Sequence, residues 1–291
     1  MVLFQIRHRL NYSYDRPVFL EPMTLRLRPR QDAGQRLLNH SLSVHEAADG
    51  CCPIVDASGS DAVILWFHQK REHLALDVEM VVETLRQNPF DWIITDPSAQ
   101  RLPLRYSELD SPALGPACAG EIDPEVVAWS DRIAADVEYS TTDFPLHLAD
   151  RIHHDFQHVG RLEGDPLSPV QTLDSRRGAC RDTALLFMAA CRSQGLAARF
   201  VSGYSMHHPP EVSEHELHAW AEIYLPGGGW RGYDPSLGLA VADGHVVLAS
   251  AHEPRLAAPV SGHFRGNGVG SSMIYRVEVR AAPMAPGPGE P

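Results

Sequence analysis

Residues 178–195 read Gly-Ala-Cys-Arg-Asp-Thr-Ala-Leu-Leu-Phe-Met-Ala-Ala-Cys-Arg-Ser-Gln-Gly. A cysteine follows Gly-Ala and opens an amphipathic run through Ala184, Leu185, Met188 and Ala189, so the pattern predicts a helix that starts near Cys180 and stops at Gly195. Exposed backbone N–H groups and the dipole at a helix N-terminus favour an anion, which predicts a thiol at 180 that gives up its proton readily. A nucleophile requires that property. Cys191, inside the apolar run, reads as core.

Downstream the period changes from helical to alternating. Ala197–Tyr204, His218–Leu225 and Trp230–Tyr233 have strand composition, and Pro226-Gly227-Gly228-Gly229 supplies a turn between the last two. A helix leading into an antiparallel sheet is the implied order. Upstream, Ile122-Asp123-Pro124-Glu125 marks a helix start running to about Asp136, and a second helix is expected over Leu146–Phe156. From Met1 to about Asp110 the pattern is mostly period two, with Phe4, Ile6, His8 and Leu10 alternating against Leu3, Gln5, Arg7 and Arg9. Short strands joined by turns at Asp49-Gly50 and Ser58-Gly59-Ser60 predict an antiparallel β-sandwich. The expected fold class is therefore α+β. Its organisation is a sandwich over 1–110, a Pro/Gly-rich connector over 111–120, a catalytic core over 121–270, a strand over 271–280 and a mobile tail over 281–291. The 291 residues exceed the roughly 250 that one core serves, which agrees with two domains.

A thiolate nucleophile needs an imidazole to stabilise it and later protonate the leaving group, and the imidazole needs an orienting acceptor. His218 begins one strand-like segment and Asp234, in Trp230-Arg231-Gly232-Tyr233-Asp234-Pro235, ends the next. Neighbouring antiparallel strands place such a pair together. Taken singly, His218 reads as an ordinary surface or core histidine and Asp234 as a turn residue capping its own backbone; the conjunction with Cys180 favours catalysis.

The combination Gly-x-Cys-x-Asp, His-Ala-Trp-Ala-Glu and Gly-Trp-x-Gly-Tyr-Asp-Pro resembles the core of the bacterial transglutaminase-like superfamily, densest from Thr172 to Leu237. The opening, with His8, Tyr12, Tyr14, Asp15, Pro17 and Leu25-Arg26-Leu27-Arg28-Pro29-Arg30, is similar to the β domain that often precedes this core in bacterial proteins. The resemblance implies a papain-like fold, with Cys180 as nucleophile, His218 as general base and acid, and Asp234 orienting the imidazole. It implies an oxyanion hole from the Cys180 backbone N–H. A second donor is left among Gln157, His158 and Gln171. Asp182 fits a motif position and equally the first turn of a helix, where the dipole favours a carboxylate. Arg176-Arg177 stand either near the thiolate or as solvated loop charges. Trp220, Trp230 and Tyr204 either line the cleft or pack the sheet.

The resulting expectation is a cysteine protease or amidase that hydrolyses an amide in a peptide or protein through an acyl-enzyme. Acyl transfer from a protein glutamine to an amine is the alternative, and an inactive peptide-binding scaffold is a third reading. Cofactors and metal are expected to be none. His207, His208, His215 and His218 suggest a metal site, but Pro209-Pro210 break any helix that would align them, so Met206–Leu217 reads as an active-site flap. Glutamate pairs such as Glu214 with Glu216 are too common in this composition to signal glycosidase chemistry. With 37 acidic and 25 basic residues the formal charge is −12, which argues against nucleic acid as partner. The apolar stretches fall short of the ~20 residues a bilayer span needs, so a membrane partner is not expected and a cytoplasmic location is. Five cysteines in no framework spacing leave at least one thiol free.

Overall fold

The computed structural model describes residues 1–160, 164–207 and 217–283. Alternation along the strands determines the first layer. β1 (Val2–Leu20) buries Val2, Phe4, Ile6, His8 and Leu10, because successive side chains of a strand point to opposite faces. It is followed by β2 (Met23–Leu25), β3 (Gln35–His45), β4 (Gly50–Val55), β5 (Asp61–Trp66) and β6 (Arg71–Thr84). β1 and β3 both pair antiparallel with β6, while β2 and β4 flank β5 in a second sheet. Phe4, Ile6, Leu76 and Met80 share one core with Leu25, Leu65 and Phe67, giving the expected sandwich.

The sandwich ends earlier than the sequence predicts. Its N-terminal run of strands stops at Thr84, and Ala99, Leu102 and Leu104 join the second core instead. The expected connector holds a helix, α1 (Ser111–Cys118), with Leu114 and Ala117 buried. Pro112 falls in its first turn, where a missing N–H loses no intrahelical bond, so proline content is misleading here.

The second layer contains α2 (Pro124–Asp136), α3 (Phe144–Asp155), β7 (Gln157–His158), α4 (Pro169–Ser175), β8 (Arg177–Gly178) and α5 (Cys180–Ser193). There follow β9 (Ala198–Ser205), β10 (His218–Leu225), β11 (Gly229–Asp234), β12 (Leu239–Ala240) and β13 (His245–Ala251), in the antiparallel order β12-β11-β10-β9-β13. α2 starts as expected: Asp123 accepts from Glu125 N at 2.9 Å ahead of Pro124. β10 turns Ala219, Ala221 and Ile223 toward the helices, where they share a core with Leu186, Phe187 and Met188 of α5. The chain then returns to the sandwich through β14 (Val260–Ser261), β15 (Phe264–Arg265) and β16 (Ser271–Pro283). β16 pairs with β1 over its whole length, so Ala281–Pro283, expected in the tail, are held opposite Phe4–Val2. Residues 284–291 lie outside the described residues. No helix among the described residues is long and apolar enough to cross a membrane.

The two layers share buried contacts. Tyr204, Val246 and Leu248 of the core sheet sit in the sandwich core, and the Tyr204 hydroxyl meets His8 Nδ1 at 2.9 Å. Arg30, just before β3, reaches Glu222 of β10 with two bonds of 2.8 and 3.2 Å, and Arg199 of β9 approaches the same carboxylate at 2.7 Å. Burial alone would push the Glu222 carboxyl up, but the two guanidiniums outweigh it and hold the group well below the usual carboxylate range. Removing one partner from a buried ionic cluster leaves charge uncompensated. Glu222→Ala is therefore expected to lower stability by about 3–5 kcal/mol, read by urea unfolding; a loss under about 1 kcal/mol would mean that the cluster does not join the layers.

Candidate active site

Local packing fixes the position of Cys180. β8 pairs in parallel with β7, His158 opposite Gly178, and delivers the chain to the start of α5. At Gly178 a Cβ would lie 2.9 Å from the Asp182 Cβ, so glycine is required for Asp182 to fold back beneath the helix start. Asp182 is fully buried; its Oδ2 accepts from Ala179 N at 2.9 Å and its Oδ1 from Leu167 N at 2.9 Å. It thus caps α5 and ties down the preceding loop, the structural alternative of the two that the sequence leaves open. Cys180, at the first helical position, is partly exposed, whereas Cys191 is fully buried in the core and burial pushes its thiol well up.

His218 and Asp234 meet as the strand pattern predicts. Both lie at strand ends on the β10–β11 ladder, and His218 Nε2–H donates to Asp234 Oδ2 at 2.6 Å. Cys180 also acts on the ring and, after Asp234, raises its pKa. With Nε2 committed to Asp234, Nδ1 is the atom left for the thiol. Phe187 of α5 stacks on Tyr233, next to Asp234, at 5.9 Å between centroids, so the helix that begins at Cys180 and the strand that ends at Asp234 are packed directly together.

Asp234 has no exposed surface and organises the site. Its Oδ1 accepts from Ser236 N at 3.0 Å, Ser236 Oγ at 2.7 Å and Leu237 N at 3.2 Å. Its Oδ2 accepts a second imidazole, His245 Nε2, at 2.9 Å. Burial would push this carboxyl up, yet His218 and the other donors hold it well below the usual carboxylate range. Burial likewise works against a charged His218, but Asp234 and then Cys180 overcome it and push its pKa up to about 10. Burial wins at His245, whose pKa is lowered.

His245 is the site residue that sequence reasoning misses. The available signal is Asp243-Gly244, a turn, opening into the apolar run Val246–Ala249, which marks a strand beginning at a histidine. Trp220 is fully buried, stacked on His218 at 6.0 Å and edge-on to His245 at 5.0 Å. Gly203 makes room for it, since a Cβ there would come within 2.6 Å of its ring. Trp230 instead packs under Arg199, and Tyr204 lies at the boundary between layers, so both belong to packing.

Among the oxyanion candidates, Gln171 is committed to a capping box with Ser168, Gln157 is exposed in β7, and His158 is partly buried beside Gly178. Arg176 lies over the Phe156 ring and Arg177 is exposed. Met206 and His207 are described, but residues 208–216 of the expected flap, with His208, Glu214, His215 and Glu216, lie outside the described residues. His218, Asp234 and His245 bring three potential ligand atoms within 4.8 Å of one another. The two nitrogens, however, both point N–H groups at one carboxylate oxygen, which is a hydrogen-bonded relay. An open groove of about 1130 Å³, lined by Phe90, Trp92 and Leu146, includes none of these residues.

Residues 127–235 match the model of the transglutaminase-like superfamily and residues 4–83 that of the bacterial transglutaminase-like N-terminal region. Cys180, His218 and Asp234 fall inside the first match and His245 beyond it. An uncharacterised protein of Mycobacterium leprae is 26% identical over 274 residues, covering 91% of this chain and 94% of the relative. An uncharacterised protein of Mycobacterium tuberculosis is also 26% identical, covering 95% and 92%. A crystal structure of a proposed cysteine protease from Cytophaga hutchinsonii has the same fold, with a TM-score of 0.73, 20% identity and coverage of 98% and 92%.

The site's electrostatics have a measurable consequence. A pKa raised from 6.5 to about 10 in the folded state stabilises the fold fully below pH 6.5, and that contribution is lost as pH rises to about 10. Urea unfolding of the wild type is expected to show this decline, and Asp234→Asn to flatten it. An unchanged slope in the variant contradicts the assignment of His218 as the charged partner.

Proposed function

We propose that this chain, a transglutaminase-like core behind the bacterial N-terminal region, is a thiol-dependent amide-bond hydrolase acting on a peptide or protein. The observation that carries this reading is one imidazole shared between a partly exposed thiol and a buried carboxylate. Proton transfer from Cys180 to His218 gives a thiolate beside an imidazolium that Asp234 stabilises. The thiolate attacks the carbonyl carbon, forming the C–S bond, and the Cys180 backbone N–H at the start of α5 faces the developing oxyanion. His218 returns its proton to the nitrogen as the C–N bond breaks, leaving a thioester. Water then attacks with His218 as base, the C–S bond breaks, and the acid and the thiolate are released.

An amine in place of water in the last step would give acyl transfer from a glutamine side chain. Product analysis distinguishes the two. With a glutamine-containing protein and a labelled primary amine, the hydrolase reading expects a new carboxylate whether or not the amine is present. Incorporation of the amine as the main product overturns hydrolysis and supports transfer.

The chemistry common to both is tested by iodoacetamide labelling across about pH 4 to 9, with mass spectrometry to locate the modified cysteine. Cys180 is expected to react alone below about pH 7 and to lose that reactivity in His218→Ala, with turnover falling about 100-fold to 10,000-fold. If Cys180 behaves like the exposed Cys51 and Cys52, the reading fails and a peptide-binding scaffold takes its place.

A further inference from the structure

His245 has no role in the three-residue mechanism, yet it is 4% exposed and donates to the very oxygen that holds His218. Packing along the sheet does not account for this meeting. β13 pairs with β9, β9 with β10 and β10 with β11, so His245 and Asp234 come from strands three places apart. The sheet has to curl for them to touch. Trp220, Val201, Val247 and Val241 fill the inside of that curl.

A carboxylate oxygen only accepts, so both imidazoles present Nε2–H to Asp234 Oδ2. His218 and His245 therefore compete for the same lone pairs. The groups facing His245 are Asp234 from β11, His218 and Trp220 from β10, and His207, two residues beyond β9. Burial keeps His245 below its ordinary pKa despite Asp234, so it enters this competition as a neutral donor. An N–H dipole aimed at Oδ2 weakens the pull of that oxygen on the neighbouring imidazolium. A general acid works best when its proton affinity lies near the operating pH, and Asp234 unopposed would hold the proton of His218 too tightly for return to a leaving amine.

The sandwich fixes the strand that carries His245. The β9–β13 ladder shifts register between Val247 and Ala249, and Gln35 takes the backbone groups at Val247: its Nε2 donates to Val247 O and its Oε1 accepts from Val247 N, each at 2.8 Å. Thr84 Oγ1 donates to Asp243 O at 2.8 Å, and the Met1 amino group lies 3.2 Å from the Asp243 carboxylate. Both sides of His245 are thus tied to the N-terminal layer.

We propose that His245 is a positioning residue of the triad: held in place by Gln35 and Thr84 of the sandwich, it donates into the Asp234 oxygen that binds His218 and keeps the His218 proton transferable. The proposal rests on the thiol mechanism above. It gives the N-terminal domain a part in catalysis.

The test is a nitrogen-15 NMR titration of His218 in the full-length wild type, His245→Phe, His245→Gln and Gln35→Ala, with thermal melting to report folding and Cys180 alkylation in parallel. His245→Phe is expected to raise the pH of half-protonation of His218 by about 0.5, roughly threefold in proton affinity. His245→Gln keeps an N–H donor of similar reach and should titrate as the wild type does, while Gln35→Ala should move His218 in the same direction as His245→Phe. A titration unmoved or lowered in folded His245→Phe overturns the proposal, and wild-type Cys180 still reacting below about pH 7 would leave the thiol mechanism standing. If His245→Phe does not fold, His245→Gln decides: agreement with the wild type supports the proposal and an altered titration overturns it. If Gln35→Ala leaves His218 unmoved, the assignment of a catalytic part to the sandwich is overturned. If wild-type Cys180 lacks acid-side reactivity, the mechanism and the proposal fall together.

Discussion

The structure depends on how one carboxylate is kept ionised without water. Asp234 is sealed from solvent, and burying a bare carboxylate is costly enough that the group would ordinarily take up a proton. Here five donors from four residues beyond the turn and across the sheet converge on it: His218, His245, Ser236 twice and Leu237. Three of them fix Oδ1 and therefore the plane of the group. Oδ2 is left to face the imidazoles. A charge prepared in this way favours the cationic form of His218, which burial alone would disfavour.

That arrangement makes demands on the rest of the chain. α5 has to begin where it does, which Gly178 and the Asp182 cap secure. Its flank has to lie against β10 and β11, which Ala219, Ala221 and the Phe187–Tyr233 stack allow. The sheet must curl far enough for β13 to reach β11, and the N-terminal sandwich braces it there through Gln35, Thr84 and the buried Arg30–Glu222–Arg199 cluster. Two layers with separate cores behave as one support for a site that lies wholly in the second.

Much of this was legible in the sequence, for a physical reason. Cys180, His218 and Asp234 are each set by local signals: a helix start, the first residue of an alternating strand and a carboxylate before proline. The tertiary step needed is only the pairing of adjacent strands. The alternation of β1 and β6 was equally plain, because each buries one face. His245 was hidden because its meeting with Asp234 depends on curvature accumulated across four strands, which no local pattern encodes. Residues 85–110 read with the sandwich because the alternation has no sharp end in the sequence, and helix α1 reads as connector because proline in a first helical turn looks, in composition, like proline in a connector. The role of Asp182 lies in its bonds to Ala179 and Leu167, which no pattern encodes, since motif position and helix cap predict the same residue type.

The central claim is a distribution of protons, and a neutron crystal structure of the wild-type protein at neutral pH would measure it directly. Hydrogen is expected on Nδ1 and Nε2 of His218 and on Nε2 alone of His245, with none on the Cys180 sulfur or on Asp234. A thiol proton on Cys180 beside a neutral His218, or a doubly protonated His245, would contradict it.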